Sequence, residues 1–368
     1  MLSIRNHEVK EALLQCLQKM VRTIDEDSVY PRDFIQGLGK AGFYSNDGLT
    51  SGEIAEKKLQ LIEEVGSICN STAFSIWCHV TSITYVRNGQ SSYLQEKILP
   101  SLENGDLLGA TGLSNPMKFY AGMESIRLKA KQTPGGYWIS GTLPFVSNLG
   151  PDHWFGIIAE LDATHRIMAL INCNAEGLTL TERTDFMGIN GSATYSCHFD
   201  DVFIPFEWIL SGNADEFMKK IRAEFVLTQT GMALGLIKAA VNGMERLKNR
   251  QGEANQYLPK QPEEIKQQWE TLREQAYRLA KHPSDDVMNE ILRVRLNGSY
   301  LALEAANAAF LHYGGAGYVR RSDAARRLRE AHFIAIVTPA VKQLEKLLKD
   351  GWGFKPNFRK VLDNYNRW

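Results

Sequence analysis

The chain has 368 residues, 44% of them hydrophobic, with 42 Lys plus Arg against 42 Asp plus Glu. That length predicts two or three packed domains, and a formal charge of zero argues against nucleic acid or an anionic membrane as the main partner. Five cysteines without a CxxC pair exclude a disulfide framework and a zinc site.

A polar start and the lack of any apolar run near ~18 residues predict a soluble, cytoplasmic protein without membrane insertion. Apolar residues recur at helical spacing over 9–21 (Val9, Leu13, Cys16, Leu17, Met20, Val21). Further helices are predicted over 31–42, 57–67 and 71–86, the last apolar on all sides and therefore buried. No strand pattern precedes residue 107, so 1–106 is expected to be a helical domain.

Between 107 and 212 the punctuation changes. Gly135-Gly136 separates 126–130 from 137–140, which predicts a hairpin. Short runs at 154–159, 167–172, 193–199 and 202–204 suggest a sandwich or barrel rather than a parallel sheet. No GxGxxG motif opens a βαβ unit.

Helix returns over 213–368. The stretch 224–248 reads as one long helix rich in small residues, 267–281 and 286–313 as two more, the latter capped by Ser284, and 339–349 as the last. The expected architecture is α+β and multidomain: an N-terminal helical domain, a central β-barrel or sandwich, and a C-terminal four-helix bundle. Generic motif searches return little chemistry. Glu224 could hold a base or simply be solvated, and His79 reads more readily as a core histidine than a catalytic one. Arg320, Arg321, Arg326, Arg327, Arg329, Asp323 and Glu330 read as a solvated helix face.

Five local motifs in order resemble the acyl-CoA dehydrogenase family across nearly the whole chain. They are Ile98-Leu99-Pro100-Ser101-Leu102-Glu103-Asn104-Gly105, then Leu113-Ser114-Asn115-Pro116, then Phe145-Val146-Ser147-Asn148 after the hairpin. Met187-Gly188-Ile189-Asn190-Gly191-Ser192, leading to Phe199-Asp200-Asp201-Val202-Phe203-Ile204-Pro205, is the fourth. Tyr313-Gly314-Gly315-Ala316-Gly317-Tyr318 with Arg329-Glu330-Ala331 is the fifth.

The resemblance implies a flavin, FAD with FMN or a reduced flavin co-substrate as alternatives. It implies hydroxyl contacts to the ring from Ser114 and Ser147, backbone groups from Leu113 and Val146, and Phe145 against the ring face. Gly314 and Gly315 would approach the phosphate end or merely end a helix. Arg250, within Lys248-Asn249-Arg250-Gln251-Gly252, resembles an arginine that reaches the ADP half from a neighbouring subunit.

Two departures bear on the reaction. Thr338 falls where the family's catalytic Glu stands, and threonine is no base at neutral pH. An alternative family base position falls on Phe225, one residue, or about 100° of helix, from Glu224, which becomes the candidate base. The loop after Pro116, Met117-Lys118-Phe119-Tyr120-Ala121-Gly122, also differs from the family's.

Three functions follow from the resemblance: acyl-CoA desaturation with hydride transfer to flavin; oxygenation by reduced flavin and O2, with His79 or His332 serving; or flavin binding without turnover. The implied partners are a small-molecule substrate, an electron-transfer flavoprotein or a flavin reductase, and further copies of the chain. A homodimer or homotetramer is expected, with Gly231 and Gly235 at the close helix contacts.

Overall fold

The computed structural model describes residues 2–351, the backbone alone at 2–8 and 251–252. The expected end of the last domain, 352–368, lies outside them. Helices come first: α1 (Leu2–Glu26), α2 (Arg32–Lys40), α3 (Ser51–Gly66) and α4 (Asn70–Asn88), followed by a π-helical turn, Leu94–Ile98, that runs into α5 (Leu99–Glu103). Helix α3 starts six residues before the expected 57. The reason is a capping box: Glu53 donates its backbone N–H to the Thr50 hydroxyl, and the Thr50 N–H returns to the Glu53 carboxylate at 2.8 Å. Helix α4 is buried along its length, as its apolar composition predicts.

The central region holds β1 (Gly109–Thr111), α6 (Ser114–Tyr120), β2 (Lys129–Thr133), β3 (Gly136–Val146), β4 (Trp154–Glu160), β5 (Arg166–Asn172), β6 (Leu178–Arg183), β7 (Thr194–Pro205) and β8 (Ile209–Ser211). The hairpin turns at Pro134-Gly135, with Thr133 facing Gly136 and Gly135 at φ +84°. The runs 193–199 and 202–204 are one strand with an irregularity opposite Ile139–Gly141. Strand order is β6-β7-β3-β2-β4-β5-β8, with β1 beside β4. The β1–β4 and β2–β4 pairings are parallel and the rest antiparallel. Phe155 of β4 and Phe199 of β7 lie three strands apart in that order, yet their rings are 6.2 Å apart. A flat sheet would separate those strands by about 14 Å, so the sheet folds over on a core of its own.

The C-terminal helices are α7 (Ala214–Thr228), α8 (Thr230–Leu247), α9 (Pro262–Ala280), α10 (Met288–Tyr313), α11 (Asp323–Ile336) and α12 (Val341–Asp350). The expected single helix over 224–248 breaks at Gln229, whose side chain is turned to partners elsewhere. Ser284 does not cap α10: its side chain makes no capping bond, and the 3₁₀ turn Asp285–Val287 intervenes. Gly231 and Gly235 serve packing inside the chain. A Cβ at Gly235 would lie 2.3 Å from the Glu63 carbonyl, and one at Gly231 2.9 Å from that of Leu59, so α8 touches α3 backbone to backbone. The arginine-rich face of α11 is no solvated face. Arg326, Arg327 and Glu330 are buried, with Arg326 on Glu330 at 2.8 Å. No helix among the described residues is long and apolar enough to cross a membrane, and all five cysteines are free.

Candidate active site

A cleft of about 1150 Å³ runs between the sheet and the helices. The sheet supplies one wall through the end of β3. Alternation along the strand puts Phe145 and Ser147 on the cleft face and Val146 in the sheet core. Phe145 is 53% exposed, a large ring left uncovered inside a cleft, with Phe186 edge-on at 5.8 Å.

Hydroxyls line this wall in linked sets. Ser147 Oγ is 2.6 Å from Thr194 Oγ1, which is 2.9 Å from Ser192 Oγ. Ser114 Oγ, at the start of α6, is 2.9 Å from Thr338 Oγ1. Thr111 Oγ1, at the end of β1, is 2.6 Å from the Tyr85 hydroxyl.

Asn148 organises the strand ends. It sits at φ +63°, a conformation asparagine tolerates better than most residues. Its backbone N–H donates to the Ser192 carbonyl at 2.8 Å and its side-chain amide to the Gly109 carbonyl at 2.8 Å. The Tyr30 hydroxyl donates to its side-chain oxygen at 2.5 Å.

The facing wall is helical and aromatic. Phe74 and Trp77 of α4, Phe225 of α7 and Phe333 of α11 line it. Phe74 meets Phe333 edge-on at 4.7 Å, and Trp77 meets Phe225 at 4.8 Å.

The charged groups on the walls are mostly engaged. Glu124 accepts from Lys118 at 2.9 Å and Asn115 at 3.1 Å. Burial opposes ionisation there, but these partners outweigh it and hold the carboxyl below its usual range. Arg329 forms a two-pronged pair with Asp25 at 2.8 and 2.7 Å. His332 is exposed within the cleft. Its Nδ1 donates to the Leu328 carbonyl at 2.9 Å, which leaves Nε2 as an unoccupied acceptor.

Of the residues singled out in the sequence, Ser114, Phe145 and Ser147 line the cleft. Leu113 and Val146 lie directly beside them, with buried side chains. Glu224 is not on the wall. Its carboxylate accepts from Lys58 at 2.6 Å and Thr84 at 2.8 Å, while its neighbour Phe225 lines the cleft. His79 is a satisfied core residue: Nε2 meets the Leu102 carbonyl at 3.1 Å, and Nδ1 accepts the Gly109 N–H at 3.0 Å. Burial, reinforced by His153, holds its pKa at about 3. Arg250 is exposed beyond α8, and Gly314 and Gly315 form an exposed turn ending α10; none of the three lines the cleft. Ser192 ends one of the quoted motifs and Phe225 marks the alternative base position, but Thr194, Phe74, Trp77 and Phe333 carried no signal as site residues, because they meet only through the fold.

No protein-family model matches the chain. It is 23% identical over 369 residues to the short-chain specific acyl-CoA dehydrogenase of Clostridium acetobutylicum, covering 94% of this chain and 96% of that one. Butyryl-CoA dehydrogenase from Megasphaera elsdenii superposes with a TM-score of 0.81 at 19% identity, covering 95% and 97% of the two chains. KijD3 in complex with FMN and an amino-keto-deoxysugar nucleotide superposes at 0.75 with 18% identity, covering 95% and 93%. The sheet between helical ends, the cleft where they meet and the full-length kinship with named dehydrogenases agree: the chain belongs to the acyl-CoA dehydrogenase superfamily of flavin-dependent oxidoreductases.

Proposed function

We propose that the protein is a flavin-dependent monooxygenase acting on an apolar small molecule, built on the acyl-CoA dehydrogenase fold. The cleft suits a flavin. It is larger than the ~300–1,000 Å³ usual for small-ligand sites, with linked hydroxyls along one wall to meet a polar ring edge and an uncovered Phe145 to meet a ring face. FAD is the cofactor proposed, with FMN or freely exchanging reduced flavin as the alternative. When bound and reduced, it supplies the two electrons with which O2 places one oxygen atom in the substrate and releases the other as water.

The observation that carries the reading is the lack of a free carboxylate on the wall among the described residues, beside the unoccupied Nε2 of His332. Glu124 is tied to Lys118, and Glu224 is held by Lys58 outside the lining. Thr338 cannot take an α-proton. In the proposed reaction His332 Nε2 accepts the proton the substrate gives up as oxygen enters. The aromatic wall of Phe74, Trp77, Phe225 and Phe333 excludes water and receives the apolar part of the substrate.

The second reading is α,β-desaturation of an acyl-CoA, with His332 as base. The kinship with acyl-CoA dehydrogenases favours it. A flavin reductase is the partner of the first reading and an electron-transfer flavoprotein that of the second. In either, a homodimer or homotetramer would bring Arg250, Gly314 and Gly315 to a neighbour's cofactor.

The two reactions separate cleanly under anaerobic conditions. Flavin-loaded protein should not bleach with acyl-CoAs of graded length. With a flavin reductase and ¹⁸O2 it should return a labelled, hydroxylated product from an apolar ring substrate. Anaerobic bleaching with an enoyl-CoA product would overturn the oxygenase reading.

A further inference from the structure

Among the described residues, the largest fully buried side chain is a cation with no anion beside it. Arg295, on α10, has no exposed surface. Its Nε donates to the Gln229 side-chain oxygen at 3.2 Å, Nη2 to the Ile334 carbonyl at 2.8 Å, and Nη1 to the Ser299 hydroxyl. All three acceptors are uncharged. The buried arginines of α11 differ, for Arg326 and Arg327 share Asp323 and Glu330. Burial pulls the Arg295 pKa down to about 10, which still leaves it protonated at neutral pH. An isolated charge in the interior is expensive and is screened far less than one at the surface.

Its partners lead to the cleft. Gln229 fills the break between α7 and α8, and its Nε2 donates to the Thr338 carbonyl at 2.9 Å. The guanidinium and the Gln229 amide therefore grip the backbone at 334 and 338. His332, Phe333, Ala335, Ile336, Val337 and Thr338 around these grips all line the cleft.

We propose that Arg295 is a positioning residue that fixes the 334–338 wall through Gln229 and supplies the cleft with a standing positive charge favouring an anionic ligand. The inference rests on the flavin reading above. The ligand concerned is reduced flavin, which tends to lose a proton near neutral pH, whereas oxidised flavin has an uncharged ring.

The test measures the affinity of the full-length protein for oxidised and for anaerobically reduced FMN and FAD. Gln229→Glu places a carboxylate against Arg295 with almost no change of shape and cancels the field. It also loses the N–H that Gln229 donates to the Thr338 carbonyl, a loss of wall anchoring that acts on both flavin forms alike. Oxidised flavin should therefore bind somewhat more weakly than to wild type. Reduced flavin should lose roughly tenfold more affinity than oxidised flavin does, toward the lower end of usual coupling between charged sites. That ratio makes the two-electron potential of bound flavin about 30 mV more negative.

Arg295→Lys and Arg295→Met give an independent reading. Lysine should keep the wild-type ratio of the two affinities, and methionine should lose about tenfold in it, whatever either does to the melting temperature. A wild-type ratio in Gln229→Glu, or equal ratios in the Lys and Met variants, would overturn the inference while leaving the flavin site intact. A wild-type protein that binds neither flavin would overturn the flavin reading itself, and this inference with it.

Discussion

Glu224→Ala should cost stability and leave turnover intact. The carboxylate is 16% exposed and pairs with Lys58, which is 6% exposed. Thr84 donates to the same oxygen at 2.8 Å and accepts from Lys58. Removing the acid leaves an ammonium in the interior with one hydroxyl for company. Breaking a buried pair from one side typically costs about 3–5 kcal/mol, and the partial exposure of Glu224 argues for the lower end, about 3 kcal/mol. At roughly 2 °C per kcal/mol for a chain of this size, the melting temperature should fall by about 6 °C. Glu224→Gln keeps an oxygen for both donors and should lose only about 1–2 kcal/mol. The double change Lys58→Met with Glu224→Met removes both charges and should recover most of the loss. Differential scanning fluorimetry reads the stabilities, and turnover per folded molecule, within about twofold of wild type throughout, reads the chemistry. Glu224→Gln with a wild-type melting temperature but turnover lowered by about 10²–10⁴ would refute this reasoning and make Glu224 the base after all.

His332→Gln should lower turnover by about 10²–10⁴ with flavin affinity unchanged, since Nε2 has no structural partner; equal loss of affinity and turnover would point to a folding role. Ser147→Ala breaks its link to Thr194 at 2.6 Å and should weaken flavin binding by about 0.5–1.5 kcal/mol, measurable by fluorescence titration. His79 should make the protein acid-sensitive. Its folded pKa of about 3 lies below the ~6.5 of an unfolded histidine, so the unfolded chain takes up the proton first as pH falls. Its contribution is complete above about pH 6.5 and declines by up to about 1.4 kcal/mol per pH unit toward pH 3. The slope of melting temperature against pH in that window should be shallower in His79→Gln, and identical slopes would refute it.

The hydrophobic period located most of the helices and strands, because each buries a face whose spacing is written locally. Strands 154–159 and 167–172 came within a residue of β4 and β5 for that reason. Strand β6, with only Leu178 and Leu180 half-buried and its other residues mostly exposed, carries almost no such signal. The start of α3 was legible in Thr50-Ser51-Gly52-Glu53, whose first and last members form the capping box. The break at Gln229 was not, since nothing within α7 or α8 requires it; Arg295 and Thr338, far along the chain, hold the side chain there. Much the same divides the site. Phe145 and Ser147 stand out through their neighbours in a motif, whereas the buried state of Arg326, Arg327 and Glu330 depends on α10 and α8 packing against α11, with the Asn70 N–H at the start of α4 donating to Glu330. Charge alone made those residues look like surface.

Tyr30 precedes α2, and its hydroxyl is spent on the one asparagine that also holds the ends of β1 and β3 together. Tyr30 is thus part of the cleft's foundation, although it does not line the cleft. Shortening the chain past Tyr30 would free the Asn148 amide at its left-handed position and let the Gly109 and Ser147 backbones drift apart. The walls would then lose their spacing without losing a single lining residue. A pocket of this design can be detuned from its far end, so natural variation in the opening helices deserves to be read as variation in ligand preference.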